Sequence, residues 1–428
     1  MSAAPTAEPL SGGTYLRLLA SGALIGIPAA LVAAGFLALV HELEHWLWHD
    51  LPEHLGSASP PWYLVLGLPV VGACIVVAAR ALLPGDGGHE PLHGLGADPT
   101  PVAYAPGVAL AALGTLVFGA VLGPEAPLIA LGSVVGLVVA RLHTFGEREH
   151  QVLATAGSFS AISALFGGPL VAAMLMLEAG LAMGAALTPI LLPGLVAAGV
   201  GYVVFVGLGD WGGIGAAALS VPGLPAYEGT HVIDLLLAPV LGVAVALVVI
   251  VVRRIATETA SAGRSRLGMP ALLLAGGLAV GLLALLADAL GADSQDVLFS
   301  GQSSMPALIA EDSARVVLVL IAAKGLAYAV SLGCGFRGGP VFPAIFLGSG
   351  LAMLTTIGLD RSPTFALAVG AAAGTAAMTR LPVTSVLLAT LLVGSSAASA
   401  VPAAILASMA AWLTMTALDR RSSAPSRA

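Results

Sequence analysis

Charge is what this sequence has least of. Of 428 residues only 9% are Asp, Glu, Lys or Arg, and Lys324 is the single lysine. A soluble globular chain carries about 25% charged residues, so a soluble domain of this size is excluded. Cysteine is nearly missing too. Cys74 and Cys334 lie in apolar or glycine-rich surroundings and imply no disulfide framework. Residues 1–13 lack the basic stretch that opens a cleaved signal, so the first apolar helix is expected to stay in the membrane. The formal net charge of −7 decides little, because charge here matters by position. Arg253, Arg254, Arg264 and Arg266 cluster after one apolar run, and Arg420, Arg421 and Arg427 crowd the C-terminal end. The bias of basic residues toward the inner face of membranes puts both regions in the cytoplasm.

What fills the chain is apolar: 58% of residues are hydrophobic. The runs Trp62–Leu83, Leu235–Val252, Ala271–Leu286 and Val316–Leu332 approach or reach the roughly 20 apolar residues that a spanning helix needs. The fold class expected is an all-α, multi-pass protein of the cell membrane. Residues 1–15 read as a polar tail, 16–208 as a first membrane repeat and 209–230 as a glycine-rich connector. Residues 231–418 read as a second membrane repeat and 419–428 as a basic cytoplasmic tail, with no soluble domain appended. Many segments between Val102 and Leu187 are short and broken by glycine. Broken helices facing lipid leave backbone groups unpaired. Paired interruptions in two halves are the mark of a transporter's binding site.

The division into halves rests on a duplication. Gly123-Pro124-Glu125-Ala126-Pro127-Leu128-Ile129-Ala130-Leu131-Gly132-Ser133 is echoed by Gly339-Pro340-Val341-Phe342-Pro343-Ala344-Ile345-Phe346-Leu347-Gly348-Ser349. Gly157, Ala164 and Pro169 are echoed in the same order by Gly370, Ala377 and Pro382. Both Gly-Pro-x-x-Pro copies read as helix starts aimed at a shared anion site. A helix N-terminus offers unpaired N–H groups and partial positive charge, glycine lets backbone approach an ion, and proline in the first turn costs no intrahelical bond. Only one copy carries an ionisable residue, Glu125. A charged side chain at the bilayer centre costs roughly 2.5–3.5 kcal/mol on insertion scales, so its presence points to function. Close packing of helices is the plainer explanation of the glycines, but it does not explain Glu125.

These motifs resemble those of the CLC family of chloride channels and proton-coupled chloride antiporters. Val121 to Pro127, with Gly123-Pro124-Glu125, is similar to the family's G-R-E-G-P signature. Gly157 to Glu178, with Phe166-Gly167-Gly168-Pro169-Leu170, resembles its F-N-A-P-L helix. Lys324 followed by Gly333-Cys334-Gly335-Phe336-Arg337-Gly338-Gly339-Pro340-Val341-Phe342-Pro343 resembles K-…-G-S-G-x-x-G-G-x-F-x-P. Arg380-Leu381-Pro382-Val383-Thr384 resembles R-A-P-L-T. The resemblance implies an inverted repeat of tilted and broken helices, a homodimer with one anion pathway per subunit, and Glu125 as a gate. That gate competes with chloride and swings away when protonated. The anion-binding residues implied are Gly123, Ala126, Gly338, Gly339, Val341 and Phe342, with His89 nearest to the family's central serine. The partners expected are an inorganic anion, protons if transport is coupled, the bilayer and a second copy of the chain. No cofactor, resident metal, enzymatic activity or nucleic acid is implied.

The sequence also departs from the family. Pro124 replaces the arginine before the gate, and Pro340 follows the second Gly-Gly; each removes a backbone donor. The central-serine region reads Gly87-Gly88-His89-Glu90-Pro91. Where antiporters of the family carry an inner proton-relay glutamate, the chain has Ala179, one place after Glu178. The helix bearing the family's pore tyrosine has no counterpart before the polar end, 419–428. Passive conduction is therefore expected over proton-coupled antiport, which is the first alternative. A different class is also on the page: His41, Glu42 and His45 match H-E-x-x-H, which on a helix can hold zinc for peptide hydrolysis. Asp86 is the best third ligand for that reading.

Overall fold

The computed structural model describes residues 12–96, 98–142, 145–180, 187–212, 219–227 and 229–422. Parts of the expected 1–15 tail, 209–230 connector and 419–428 tail, including Arg427, lie outside them. The described chain is helical, and its one isolated β-bridge joins Gly123 to Gly339. Eight of the described helices are long and apolar enough to cross a bilayer. This is an all-α, multi-pass membrane protein.

Two compact units can be described. The first comprises Met1–Leu39, Gly96–Ala109 and Glu125–Ala218. In it, helix Glu125–Ala140 packs on helix Glu147–Phe166. They cross at Gly132 and Gly157, where a methyl on either residue would fall on the other's carbonyl. Gly136 meets the Leu153 carbonyl in the same way. Buried hydroxyls fasten the crossings: Ser158 donates to the Ile129 carbonyl (2.9 Å) and Ser160 to Gly26 (2.8 Å). The stretch Gly157 to Glu178, in the region read as broken by glycine, is two helices. Gly167 takes the left-handed conformation (φ 68°) that ends helices, and Pro169 starts the next, Pro169–Gly180.

The second unit comprises Val40–Leu95, Leu110–Pro124 and Leu219–Ala428. Its helix Val341–Leu359 packs on Pro363–Thr379, crossing at Gly348 and Gly370, where again a methyl on either would strike the other's carbonyl. Arg380 (φ 66°) ends that helix in the left-handed conformation, and Pro382 opens the next, Pro382–Val393. The paired glycines and paired breaks found in the sequence thus mark the same local construction in each unit. Between helices Gly268–Ala289 and Ala314–Cys334 lie two short helices, Ser294–Val297 and Met305–Ala310. The last helix, Ala397–Ser422, runs past Leu418, the expected end of the membrane region, and Asp419 near its end pairs with Arg380 at 2.7 Å.

Candidate functional site

The two copies of the duplicated stretch meet through their backbones. Gly123 N–H donates to the Gly339 carbonyl (2.7 Å), and Gly339 N–H returns a bond to Gly123 (2.5 Å). Each glycine then leads within two residues into a helix, Glu125–Ala140 or Val341–Leu359. The pairing has a chemical consequence. Gly123 and Gly339, expected as anion donors, spend their N–H groups on each other and contribute geometry instead. Gly338 is equally constrained, because a Cβ there would sit 2.7 Å from that of Leu122. Pro340 occupies the position just before helix Val341–Leu359, so the donor it lacks was never part of the helix. Its carbonyl accepts the Tyr328 hydroxyl (2.8 Å), which anchors this helix start.

Every residue expected at the two helix starts is buried. Glu125 is fully buried and opens its helix; Ala126, Val341 and Phe342 are buried in the first turns. N–H groups in a helix's first turn point beyond its start, and Ala126, Val341 and Phe342 stand in the first turns of their own helices.

The loop Gly335–Gly339 is held by charged residues that the motif comparison passed over. Arg337 is 2% exposed. Its backbone N–H donates to the Thr115 hydroxyl (3.1 Å) and its Nε to the Asp86 carbonyl (3.0 Å). Its Nη2 makes a short ion pair with Asp86 Oδ2. Arg80 binds the same carboxylate with two nitrogens (2.8 and 2.9 Å) and donates Nη1 to the Gly335 carbonyl (2.9 Å). Asp86 therefore ties the segment around residues 84–95 to the loop that leads into the second helix start. Burial pushes the Arg337 pKa down to about 10, with the Arg80 charge adding to the effect and Asp86 opposing it; Arg337 remains a cation at neutral pH. The sequence signal was a lone arginine inside a run of glycines between apolar helices.

His89 lies in the same 84–95 segment and is exposed on its surface side. Burial lowers its pKa, and a hydrogen bond that the ring donates to the Gly94 backbone carbonyl partly opposes this. Near neutrality His89 is an uncharged imidazole, not a fixed cation. Glu178 is half-buried and Ala179 is exposed, at the end of helix Pro169–Gly180. Asp234 is buried. Tyr227 donates its hydroxyl to it (2.7 Å), and Arg361 lies at 3.6 Å. Asp288 is exposed.

Lys324 is fully buried. Its Nζ donates to the carbonyls of Asp296, Val297 and Leu298 at 2.9, 3.2 and 2.7 Å and lies 4.6 Å from the centre of the Phe346 ring. It finishes the short helix Ser294–Val297 from outside.

The zinc alternative loses its third ligand. Asp86 is occupied by two guanidiniums. His45 faces Asp50 at 3.2 Å and stacks near His49. Among the described residues no three His, Cys, Asp or Glu side chains converge as a metal site.

Comparison with known proteins gives a consistent family. A family profile described as voltage gated chloride channel matches residues 89–415. YfeO of Escherichia coli O139:H28 (strain E24377A / ETEC), provisionally described as an ion-transport protein, is 28% identical over 353 residues, covering 80% of this chain and 79% of YfeO. YfeO of Shigella boydii serotype 4 (strain Sb227) matches equally well. Among solved structures, a slow cyanobacterial Cl−/H+ antiporter superposes with a TM-score of 0.74 at 16% identity, covering 99% of this chain and 100% of the other. A CLC-type fluoride/proton antiporter superposes with a TM-score of 0.73 at 20% identity, covering 95% and 98%. At these identities the superpositions speak to the fold.

Proposed function

The chain belongs to the voltage gated chloride channel family, and from that premise we propose that it moves a small inorganic anion, chloride or a close relative, through a pathway gated by Glu125. The observation that carries the proposal is the reciprocal Gly123–Gly339 backbone pair, which joins the two Gly-Pro copies of the duplicated stretch. A helix start supplies positive potential, and Gly123, Gly338 and Gly339 keep the approach free of side chains. The buried carboxylate of Glu125 is an anion tethered at such a helix start. While ionised it competes with the transported anion. Once protonated it has no charge to hold it there, and the pathway opens as pH falls. His89, uncharged near neutrality, contributes a polar edge. The unit of transport on this reading is a homodimer in the cell membrane, each subunit with its own pathway.

Two solved structures of the same fold are proton antiporters, which favours coupled exchange as the second reading. Passive movement is the reading preferred here, because proton coupling needs an inner group that binds and releases a proton. Ala179 has only a methyl group at the place expected for that group, and the neighbouring Glu178 points about 100° away around the helix. Reconstituted liposomes test both points. Purified protein should release internal chloride faster than protein-free liposomes do. A chloride gradient should drive little proton uptake. No anion release would remove the function; uphill proton movement in fixed ratio to chloride would replace passive movement with antiport.

A further inference from the structure

The cluster around Asp86 leaves one guanidinium nitrogen unserved. Arg337 is 2% exposed, yet its Nη1 has no hydrogen-bond partner, whereas its Nε and Nη2 are both taken by Asp86. Buried polar groups are nearly always hydrogen-bonded, so this nitrogen is a donor still able to take an acceptor. The nearest charge is Glu90, whose Oε1 lies 3.8 Å from Arg337 Nη1 and 3.8 Å from Arg264 Nη1. Both distances exceed a hydrogen bond. Glu90 therefore stands between two cations without bonding fully to either. His93 Nδ1 is 3.5 Å from its other oxygen.

Around it lies a cleft lined by Arg80, Glu90, Arg264, Leu272, Cys334 and Gly335, among others. Arg80 and Arg264 line the cleft with Glu90; Arg337 does not line it but reaches Glu90 at 3.8 Å, and Asp86 is already held by Arg80 and Arg337. The cleft thus carries surplus positive charge. Its parts differ in freedom: Arg337 is locked by Asp86, while the side chains of Glu90 and Arg264 are 29% and 58% exposed and can rearrange. Arg337 directly precedes Gly338 and Gly339. Arg264 belongs to the basic cluster that the charge bias assigns to the cytoplasm.

We propose that Arg264 and Arg337 form a cytoplasmic-side anion subsite, at which the Glu90 carboxylate stands in for a small inorganic anion until that anion displaces it. The subsite rests on the anion-transport reading and extends it to residues outside the duplicated helix starts. When Glu90 swings toward water, an anion accepts from Arg337 Nη1 and lies beside Arg264, so the buried donor is satisfied in the occupied state. The competing explanation is a half-exposed ion pair with no ligand, and such pairs contribute little.

The test is equilibrium binding of sodium chloride and sodium bromide to the purified full-length protein in detergent, by calorimetry. Glu90→Gln keeps the side-chain shape and removes the tethered charge; it should tighten anion binding about tenfold, the effect of a single lost charge competition. Arg264→Gln, at an exposed position, should weaken it about tenfold. Bromide, located by anomalous scattering in crystals of the Glu90→Gln protein, should lie beside Arg337 Nη1. Equal affinities in all three proteins, or bromide density at other positions but none beside Arg337, would overturn the subsite. Liposome flux by the unaltered protein separates the two claims. Normal flux with unchanged binding in Glu90→Gln removes the subsite alone, while absent flux removes the transport reading.

Discussion

At the scale of single residues, the arrangement depends on Asp86. Its carboxylate takes hydrogen bonds from Arg80 and Arg337, and its backbone carbonyl takes another from Arg337. Asp86→Ala leaves a buried guanidinium short of its partner, a loss that costs about 1–3 kcal/mol. We expect a lower midpoint of thermal unfolding in detergent than for Arg254→Ala, which breaks only the exposed Arg254–Glu258 pair. Equal midpoints would deny the tie between the two loops. His89 gives a pH signature. Its folded pKa is lowered by burial, so the unfolded chain takes up the proton first as pH falls. Its contribution to stability is present above the ordinary histidine pKa and is lost as pH drops through that value toward the folded one. His89→Gln should therefore flatten the fall in stability between neutral and mildly acidic pH, as read by thermal melts across that range. Glu125 and the helix-start residues were legible in the sequence because a carboxylate inside an apolar, duplicated motif has few structural excuses. Arg337 and Asp86 were not legible as partners. Their contact joins segments far apart in the chain, and Asp86 had been read as a metal ligand because spacing alone cannot tell a carboxylate's partner.

Among helices and loops, glycine pairs set the packing. Gly132 with Gly157, and Gly348 with Gly370, let two helix backbones touch in each unit. Gly157→Ala and Gly370→Ala place a methyl against a carbonyl that belongs to a helix backbone and cannot swing aside. Overpacking of this kind costs about 1–3 kcal/mol. Gly35, inside helix Gly12–His45, has nothing within 4 Å of the position a Cβ would take. Gly35→Ala should be neutral or stabilising, by up to about 1 kcal/mol. A melt series in one detergent checks the contrast, and equal losses at all three positions would contradict it. The duplication made these glycines visible as a pattern, but only the fold shows that the partners across each crossing are the repeated glycines themselves. Helix breaks were harder to read. Gly167 and Arg380 both end helices in the left-handed conformation. The sequence offered glycine at one and arginine at the other, so the equivalence was carried by the prolines that follow, Pro169 and Pro382. Lys324 belongs at this scale as well. Removing its amine by Lys324→Met strands three carbonyls and should lower the melting midpoint more than any exposed arginine substitution does.

For the whole molecule, composition alone was enough to place the chain in a membrane, since 9% charge cannot cover a soluble surface of this size. Span positions followed from apolar length. The meeting of the two duplicated stretches did not, because nothing in a linear repeat says that its copies pair through backbone hydrogen bonds. A homodimer remains the proposed assembly. Helix Thr188–Gly212 presents exposed Leu192 and Val203, consistent with an apolar contact face. Crosslinking and mass photometry in detergent and in lipid should give a dimer; a strict monomer in both would contradict it. The central claim is that Glu125 is the gate, and flux as a function of pH tests it most directly. Chloride release from liposomes is measured across acidic to neutral pH for the unaltered protein and for Glu125→Gln, which imitates the protonated carboxyl. The unaltered protein should release chloride faster as pH falls, and the variant should stay open at every pH. Matching pH profiles in the two proteins would contradict the gate.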